Sequence, residues 1–341
     1  MTSETLPTTS TEVCFAGYPK DVVRPEHFTV RQTLVDEPGP GQVLVRNDFM
    51  TLAAAYRDQM TPATNIPIPV FQLGQPMWGR TVGTVVRSNS PNLAVGDLVE
   101  HFHGWREYAV GSAAEFHKRD RALLPGAEYY LTQGPTAWRG MVEMANVGDG
   151  DVVFVSGATS GVGSLAGQIA KLLGAKRVIG STGSKSKAEY LLRECGFDAV
   201  FDYHDGPVVD RLRELAPDGI NVFFDNVGGE QFEAAVAAAA PFARFALCGS
   251  LSGQLETGGS GGHPRLDLMT AIPKQLILRP FATYHTPEQI DGWNKQFSIW
   301  LRDGRIAFPH TIVPGGVADL PANFLALLER RFTGNVIAKL S

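Results

Sequence analysis

Cysteine is scarce in this chain, whose 341 residues include only Cys14, Cys195 and Cys248. Three thiols so far apart in the sequence cannot build a disulfide framework, and they lack the short spacing of a zinc-ligand motif. No metal site is therefore predicted. We expect three reduced, structural thiols and a cytoplasmic location.

Long apolar runs and clusters of one charge sign are also missing. No stretch approaches the roughly 20 apolar residues that a membrane-spanning helix needs, and the polar start MTSETLPTTSTEV lacks the hydrophobic segment of a signal peptide. The net charge is −5, and the lysines and arginines are dispersed. The sequence therefore predicts a protein without membrane or nucleic-acid partners.

The composition and length of the chain are those of a globular protein with two domains. Overall, 44% of the residues are hydrophobic and 19% are charged, which is typical of a protein with a sizeable core. At about 150 residues per domain, the length indicates two domains.

Up to about residue 125, short strands alternate with turns such as Pro38–Gly41, which predicts an all-β module of barrel type. The predicted strands are Phe28–Val35, Gln42–Leu52, Arg80–Arg87, Asp97–Phe102 and Glu107–Val110.

From Leu131 onward, apolar runs of strand length alternate with helical patterns, which is typical of a parallel sheet with crossover helices. One helix ends at Gly174, and two more are predicted at Lys187–Cys195 and Glu288–Arg302. The glycine-rich segment Gly253–Gly262 is predicted to be a mobile loop, either a lid over the substrate or a surface insertion. The predicted strands are Val152–Ser156, Arg177–Ser181, Ala199–Tyr203, Asn221–Asp225, Arg244–Cys248 and Gln275–Phe281.

A glycine motif, Gly157-Ala-Thr-Ser-Gly161-Val-Gly163, joins the first of these strands to a helix. Such a turn lets the backbone approach a pyrophosphate, and the helix N-terminus supplies free N–H groups and partial positive charge. The strand–motif–helix–strand context predicts dinucleotide binding.

The end of the next strand indicates which dinucleotide is bound. An NAD site has an acidic residue there for the adenosine ribose, whereas this chain has Ser181-Thr-Gly-Ser-Lys185-Ser-Lys187. Hydroxyl and ammonium groups would bind a 2′-phosphate, which a carboxylate would repel. NADPH is therefore the predicted cofactor, although the two lysines could also simply solvate a helix start.

Two neighbouring enzyme classes do not fit. Short-chain dehydrogenases need a Tyr-x-x-x-Lys pair, which the chain lacks, and they carry the glycine motif near the N-terminus. Zinc alcohol dehydrogenases need a Cys/His/Glu catalytic set, which three dispersed cysteines do not provide. Where their Gly-His-Glu metal motif is expected, the chain reads Gly79-Arg-Thr-Val-Gly83. Reduction of a conjugated C=C bond needs no such Lewis acid, because the substrate carbonyl delocalises the charge left by hydride addition.

Motifs in order along nearly the whole chain resemble the zinc-independent medium-chain dehydrogenase/reductase family, specifically the prostaglandin, leukotriene, curcumin and 2-alkenal double-bond reductases. The sequences that carry the resemblance are Gly74-Gln-Pro-Met-Trp-Gly79, Val95-Gly-Asp-Leu-Val99, Gly104-Trp-Arg-Glu-Tyr108, Gly134-Pro-Thr-Ala-Trp138, Ser156–Gly174, Gly196-Phe-Asp-Ala-Val-Phe-Asp-Tyr203, Phe224-Asp-Asn-Val-Gly-Gly229 and Cys248-Gly-Ser-Leu-Ser252.

The resemblance implies an α/β fold in which a GroES-like β-barrel catalytic domain, residues 1–127 and 306–341, is interrupted by a doubly wound Rossmann domain, residues 128–305. It implies a homodimer. It also implies that the pyrophosphate lies at the glycine motif, the 2′-phosphate at Lys187 and Tyr203, and the nicotinamide side near Cys248. Tyr203 could instead be a packed strand end, and Asn226 a turn residue. The full predicted cofactor-binding set is Thr136, Ser160, Gly161, Val162, Gly163, Ser181, Lys187, Tyr203, Asn226, Cys248 and Ser250.

The chain departs from the family pattern mainly on the substrate side. A family tyrosine after the Cys-Gly-x-x-Ser stretch is replaced by Gln254, and the tyrosine of an Asp-Pro-Tyr-Met-Arg motif aligns with Ala55. Near the C-terminus, Phe332 and Asn335 stand where an asparagine and a lysine are expected around the cofactor.

The predicted reaction is hydride transfer from NADPH to the β-carbon of an α,β-unsaturated ketone or aldehyde, with hydrogen-bond donors stabilising the charge on the substrate oxygen. Tyr56 and Tyr284 are the candidate catalytic tyrosines, with a buried structural tyrosine as the alternative for each. Two other functions stay open at this point: an NADPH quinone reductase and a non-catalytic NADPH-binding protein.

Overall fold

The computed structural model describes residues 8–61, 69–255 and 263–341. Fifteen strands lie within these residues: β1 (Thr9–Phe15), β2 (Phe28–Leu34), β3 (Gln42–Leu52), β4 (Thr81–Ser88), β5 (Leu98–His101), β6 (Tyr108–Ser112), β7 (His117–Arg119), β8 (Val152–Val155), β9 (Arg177–Thr182), β10 (Ala199–Asp202), β11 (Ile220–Asp225), β12 (Ala239–Leu247), β13 (Ile277–Pro280), β14 (His310–Val313) and β15 (Asn335–Lys339).

The α-helices of the described residues are α1 (Tyr56–Gln59), α2 (Gly134–Arg139), α3 (Gly161–Leu172), α4 (Lys185–Glu194), α5 (Val208–Leu215), α6 (Gly229–Ala237), α7 (Leu251–Leu255), α8 (Leu268–Lys274), α9 (Pro287–Arg302) and α10 (Leu320–Leu328). A π-helical turn, Gly140–Met144, continues α2. Short 3₁₀ turns occur at Pro25–His27, Ala113–Glu115, Ala127–Leu131 and Val317–Asp319.

One compact unit comprises Met1–Leu131, His310–Phe332 and Val336–Ser341. Its main sheet has the order β14-β15-β3-β4-β5-β7, and β6 also pairs with β3. β3 pairs antiparallel with β15, β4 and β6, and its register against β4 shifts twice. Such irregularities curve a sheet. β3 therefore has three partner strands in a curved antiparallel sheet.

The core of this unit is rich in aromatic side chains. Tyr56 makes edge contacts with the rings of Phe71, Trp78 and Trp105, and a tilted contact with Phe324. Trp105 and Phe71 are almost completely buried. Phe324 comes from α10, near the C-terminus, so the last part of the chain helps to complete the core of the first.

A buried ion pair network joins β5 and β7 to Arg80, the residue directly before β4, in the same unit. Glu100 on β5 accepts hydrogen bonds from Arg80 Nε at 2.5 Å and from Arg119 Nε at 2.8 Å. Only 3% of Glu100 is exposed. Burial alone would raise the pKa of its carboxyl, but the two guanidinium groups outweigh that effect and lower the pKa.

The second unit comprises Thr132–Pro309 with Thr333–Asn335 and holds a parallel sheet of order β10-β9-β8-β11-β12-β13. This is the strand order of a Rossmann fold, with the chain reversing direction across the sheet between β8 and β11. In folds of this kind, a ligand binds at that point, beyond the carboxyl ends of the strands. The sheet centre is apolar, with Phe154, Phe223 and Phe245 fully buried.

The predicted α/β fold class is confirmed, with local differences. The pattern missed β1, whose short and partly polar sequence TSTEVCF is extended because it pairs with β2 along its length. β12 begins at Ala239, five residues before the predicted Arg244, because the alanine-rich run that ends α6 hides the boundary. The predicted loop Gly253–Gly262 starts too early, since Gly253 lies in α7; residues 256–262 lie outside the described residues.

None of the helices in the described ranges combines the length and apolarity that crossing a membrane would require.

We predict that Glu100→Gln lowers the free energy of unfolding by about 3 kcal/mol, because it leaves two guanidinium groups without their buried counter-charge. The wild type should also lose stability as the pH falls below about 4, since its folded-state pKa lies below the unfolded value. Glu100→Gln should not show the loss of stability at low pH that protonation of Glu100 causes in the wild type. Denaturant unfolding at pH 3.5–7 measures both effects.

The matched control is Glu189→Gln, which breaks an exposed pair between Glu189 and Arg193 on α4. It should change stability by less than about 0.5 kcal/mol. Equal losses in the two variants would contradict the structural importance of the buried network.

Candidate functional site

The turn between β8 and α3 is shaped for a phosphate group. Gly157 has a positive φ of 57°. Ser160 caps α3 by accepting a hydrogen bond from Gly163 N–H through its hydroxyl at 2.9 Å. A Cβ atom on Gly163 would lie 2.5 Å from the carbonyl oxygen of Gly157, so no side chain fits there. The N–H groups in the first turn of a helix have no intrahelical acceptor, and this makes a helix N-terminus such as that of α3 favourable for an anion.

A short segment from near the C-terminus of the chain reinforces this turn. Gly334 N–H donates to the carbonyl of Thr159 at 2.9 Å. The amide of Asn335 donates to Pro309 O at 2.9 Å and Gly161 O at 3.4 Å, while its oxygen accepts from Gln133 N–H at 2.8 Å. Asn335 is 2% exposed, so its side chain fixes the start of α3 from inside the unit.

A buried carboxylate links the ends of β8 and β11. These two strands mark the switch point, where the strand order of the sheet reverses. Asp225 Oδ1, at the end of β11, accepts hydrogen bonds from Ser156 Oγ at 2.8 Å and from the N–H groups of Val227 and Gly228, both at 2.9 Å. Burial raises the pKa of Asp225, and these three hydrogen bonds oppose the rise. The carbonyl of Asp225 also accepts from the N–H groups of Cys248 and Gly249 beyond β12.

Asn226 and Ser250 lie on the loops that this carboxylate orders. The side-chain amide of Asn226 donates to Ser156 O at 2.8 Å, and the backbone carbonyl of Asn226 accepts from Leu251 N–H at 3.1 Å. Ser250 is exposed on the same side, with its hydroxyl beside Gly228. Cys248 is half-buried, and burial together with the charge of Asp225 raises its pKa to about 12. It is a neutral thiol at neutral pH rather than a nucleophile.

The predicted 2′-phosphate residues lie at the ends of β9 and β10. Lys187 is half-buried in the first turn of α4, and Tyr203 follows β10 directly. Ser181 is different, because it is fully buried. Its hydroxyl donates to Gln231 Oε1 at 2.5 Å and accepts from Gly157 N–H at 3.3 Å. In this arrangement Ser181 supports the glycine turn from inside and does not face a ligand.

Thr136 is paired with a histidine from a distant part of the chain. Its hydroxyl lies 2.9 Å from His285 Nε2, and Thr136 is almost completely buried in α2. The neighbouring Tyr284 is 51% exposed, and its backbone carbonyl accepts a hydrogen bond from Arg139 at 3.1 Å. The structure therefore keeps the Tyr284 side chain at the surface of this unit.

Tyr56, the other predicted catalytic tyrosine, is a core residue of the first unit. Its hydroxyl donates to Thr51 O at 3.2 Å and accepts from Arg80 N–H at 3.3 Å. Burial strongly raises its pKa. Because its only proton is already donated to a carbonyl inside the core, this geometry counts against Tyr56 as a proton donor to a substrate.

The structure thus gathers most predicted cofactor residues into two groups within one Rossmann unit. One group surrounds the switch point: Ser160, Gly161, Val162, Gly163, Asn226, Cys248 and Ser250. The other, with Lys187 and Tyr203, lies at the ends of β9 and β10. The predicted cofactor-binding set did not include Ser156 or Asp225, and Asn335 was named only as a departure from the family pattern. Asp225 and Ser156 lie within the quoted motifs, so the order Phe-Asp-Asn could have indicated them; their hydrogen bonds to each other could not be read from spacing.

The residues at the switch point fit a dinucleotide. The turn brings the N-terminus of α3 to a place where the glycine backbone is free of side chains of its own. No acidic side chain stands at the end of β9, where Thr182 is followed by Gly183. In the described part of the chain, no group of three His, Cys, Asp or Glu residues is placed to hold a metal ion.

Comparison with known families covers both units. A family described as the N-terminal domain of oxidoreductase matches residues 12–118, and one described as zinc-binding dehydrogenase matches residues 161–296.

Individual relatives align over nearly the full length. The NADPH-dependent curcumin reductase of Escherichia coli strain K12 is 30% identical over 332 residues, 96% of this chain and 95% of the relative. The NADP(+)-dependent 2-alkenal reductase of Nicotiana tabacum is 28% identical over 331 residues, 95% of this chain and 94% of the relative. The crystal structure of CurA from Vibrio vulnificus in complex with NADPH has a TM-score of 0.90 at 27% identity, covering 97% of this chain and 99% of that one.

We predict that Gly163→Ala weakens dinucleotide binding by about tenfold or more, because the added Cβ pushes the start of α3 away from Gly157 O. Fluorescence titration with NADPH measures the change. Gly292→Ala is the matched control: no atom lies within 4 Å of its added Cβ in α9. It should bind normally and unfold with up to about 1 kcal/mol more stability. Normal binding by Gly163→Ala would contradict the proposed role of the turn.

Proposed function

Because the chain belongs to the zinc-independent medium-chain dehydrogenase/reductase family, we propose that this NADPH-dependent oxidoreductase reduces the carbon–carbon double bond of a conjugated ketone or aldehyde. The observation that carries the proposal is a Rossmann sheet, with the glycine turn at its switch point, in a chain that aligns over nearly its full length with curcumin and 2-alkenal reductases. Curcumin and 2-alkenals share a C=C bond conjugated to a carbonyl group.

The proposed cofactor contacts follow from the two groups of residues. The backbone at Gly161 and Val162, at the N-terminus of α3, lies against the pyrophosphate, and Asn226 with Ser250 borders the path towards the nicotinamide. Lys187 and Tyr203 bind the 2′-phosphate. Asp225 and Asn335 do not touch the ligand in this proposal; they hold the loops that do.

The bound cofactor supplies a hydride at the β-carbon of the substrate. The protein must then stabilise negative charge on the carbonyl oxygen, where a single hydrogen-bond donor contributes about two orders of magnitude in rate. Tyr284 is our candidate for that donor or for the proton donor, because its side chain is exposed on the Rossmann unit beside the Thr136–His285 pair. Tyr56 is not proposed, since its hydroxyl is committed within the core.

The proposal predicts NADPH oxidation with enones and enals, at least tenfold faster than with NADH, and a saturated ketone or aldehyde as product. Loss of the nicotinamide absorbance measures the rate, and mass spectrometry with NMR locates the added hydrogens. Quinones and simple saturated carbonyl compounds are the control acceptors. Turnover of quinones alone would replace the proposal with a quinone reductase, and tight NADPH binding without any turnover would replace it with a non-catalytic binding protein.

The same assay distinguishes the two tyrosines. Tyr284→Phe should lower kcat by about tenfold or more without changing NADPH affinity. Tyr56→Phe should leave kcat within about threefold of the wild type while lowering stability by about 1 kcal/mol, because it removes two buried hydrogen bonds. An unchanged rate in Tyr284→Phe would remove Tyr284 from the mechanism.

We also propose a homodimer, formed through the open edge of the Rossmann sheet. β13 is the last strand of that sheet, and its outer edge has no strand partner in the described residues. Next to it, α8 exposes Leu268, Met269 and Ile272, of which Met269 is 84% exposed. A second copy related by a twofold axis would pair β13 with itself and cover these side chains.

We predict that the wild type sediments as a dimer at micromolar concentration, and that Met269→Asp shifts it to a monomer by placing a charge in the apolar contact. Asp291→Asn, on an exposed part of α9, is the control and should remain dimeric. A monomeric wild type would contradict the proposal. So would a Met269→Asp variant that stays dimeric with normal secondary structure.

A further inference from the structure

A histidine occupies the end of β9, where a Rossmann fold recognises the adenosine ribose. Gly183 lies directly after β9, and a Cβ atom placed on it would lie 3.1 Å from Cε1 of His204 and 3.0 Å from the hydroxyl of Tyr203. The two rings contact each other, with centroids 4.1 Å apart. His204 comes from the residues after β10, so the fold brings it to the place where an NAD site has its acidic residue.

The imidazole of His204 is held in a defined orientation. Its Nδ1 lies 2.8 Å from Asp202 Oδ1, and its backbone N–H donates to the same oxygen at 3.0 Å. Because a carboxylate only accepts hydrogen bonds, Nδ1 carries a proton, which leaves Nε2 on the opposite side of the ring for a ligand. The side chain of Asp202 is 12% exposed and that of His204 is 61% exposed, so the carboxylate lies behind the ring.

The net charge of the groups around this ring is zero unless a further cation is present, and only a positive net charge attracts a phosphate. The groups concerned are Lys185 and Lys187 on α4, and Asp202 and Asp205 on the segment after β10; Lys185 Nζ lies 4.0 Å from Asp205 Oδ2. The two lysines only balance the two aspartates. In its imidazolium form His204 donates from both ring nitrogens, and in that form it makes the region net positive.

We propose that His204, oriented by Asp202, binds the 2′-phosphate of NADPH and is a specificity-determining residue for NADPH over NADH. The inference rests on the assignment of NADPH as cofactor and adds a cation that the resemblance to known reductases does not supply. Gly183 is part of the arrangement, because a Cβ there would lie 3.0–3.1 Å from both rings, which would have to shift to make room for it.

The test is equilibrium binding of NADPH and of NADH, followed by nicotinamide fluorescence without any substrate. His204→Gln keeps a side chain of similar size but removes the cation, and should weaken NADPH binding about tenfold while leaving NADH binding within about twofold. His204→Lys restores a cation and should bind NADPH within about threefold of the wild type. His117→Gln, an exposed histidine on β7, is the control and should match the wild type for both nucleotides.

Three results would overturn the proposal. They are unchanged NADPH affinity in His204→Gln, an equal loss for NADPH and NADH in that variant, and a His204→Lys variant as weak as His204→Gln. The second and third would mean that the imidazole only packs against Tyr203. Because no acceptor is present, a wild type that fails to reduce any enone would contradict the proposed reaction and would leave this binding test intact.

Discussion

The candidate site depends on one buried carboxylate at the point where the sheet reverses its winding. Asp225 draws the ends of β8 and β11 together through Ser156 and holds the two backbone N–H groups that follow it. The backbone carbonyl of Asp225 accepts hydrogen bonds from Cys248 and Gly249, the first two residues beyond β12. A carboxylate with little water around it is stable only when its hydrogen bonds are complete. These hydrogen bonds therefore tie the loops at the switch point to one another.

The parts of the site that could be predicted are those that the backbone makes. Strand Val152–Val155, the motif Gly157–Gly163 and the following helix are local in sequence, and each has its own pattern: an apolar run, glycines at fixed offsets and a capping serine. The parallel order of the strands follows from the alternation of strands and helices. Boundaries were less predictable where two patterns merge, as in the alanine-rich run from α6 into β12.

The parts that could not be predicted depend on contacts between residues far apart in the sequence. Ser181 stands where a ligand-facing hydroxyl is expected, but Gln231, fifty residues later, takes its hydrogen bond and keeps it inside. Tyr56 lies next to a family motif position, but a core of rings from both ends of the chain encloses it. No spacing rule reports whether a polar side chain faces a ligand or the core, since burial depends on the folded neighbours.

This contrast explains why the cofactor is easier to infer than the substrate. A pyrophosphate is recognised by backbone N–H groups and a helix terminus, which every residue type except proline supplies. The requirement on the sequence is therefore mainly that glycine be kept where a side chain would obstruct. A substrate and a 2′-phosphate are recognised by side chains, which can be replaced from another element, as His204 lies opposite Gly183. At about 30% identity, the part of a site that the backbone forms therefore keeps its sequence motif. The part that side chains form has to be located in the structure.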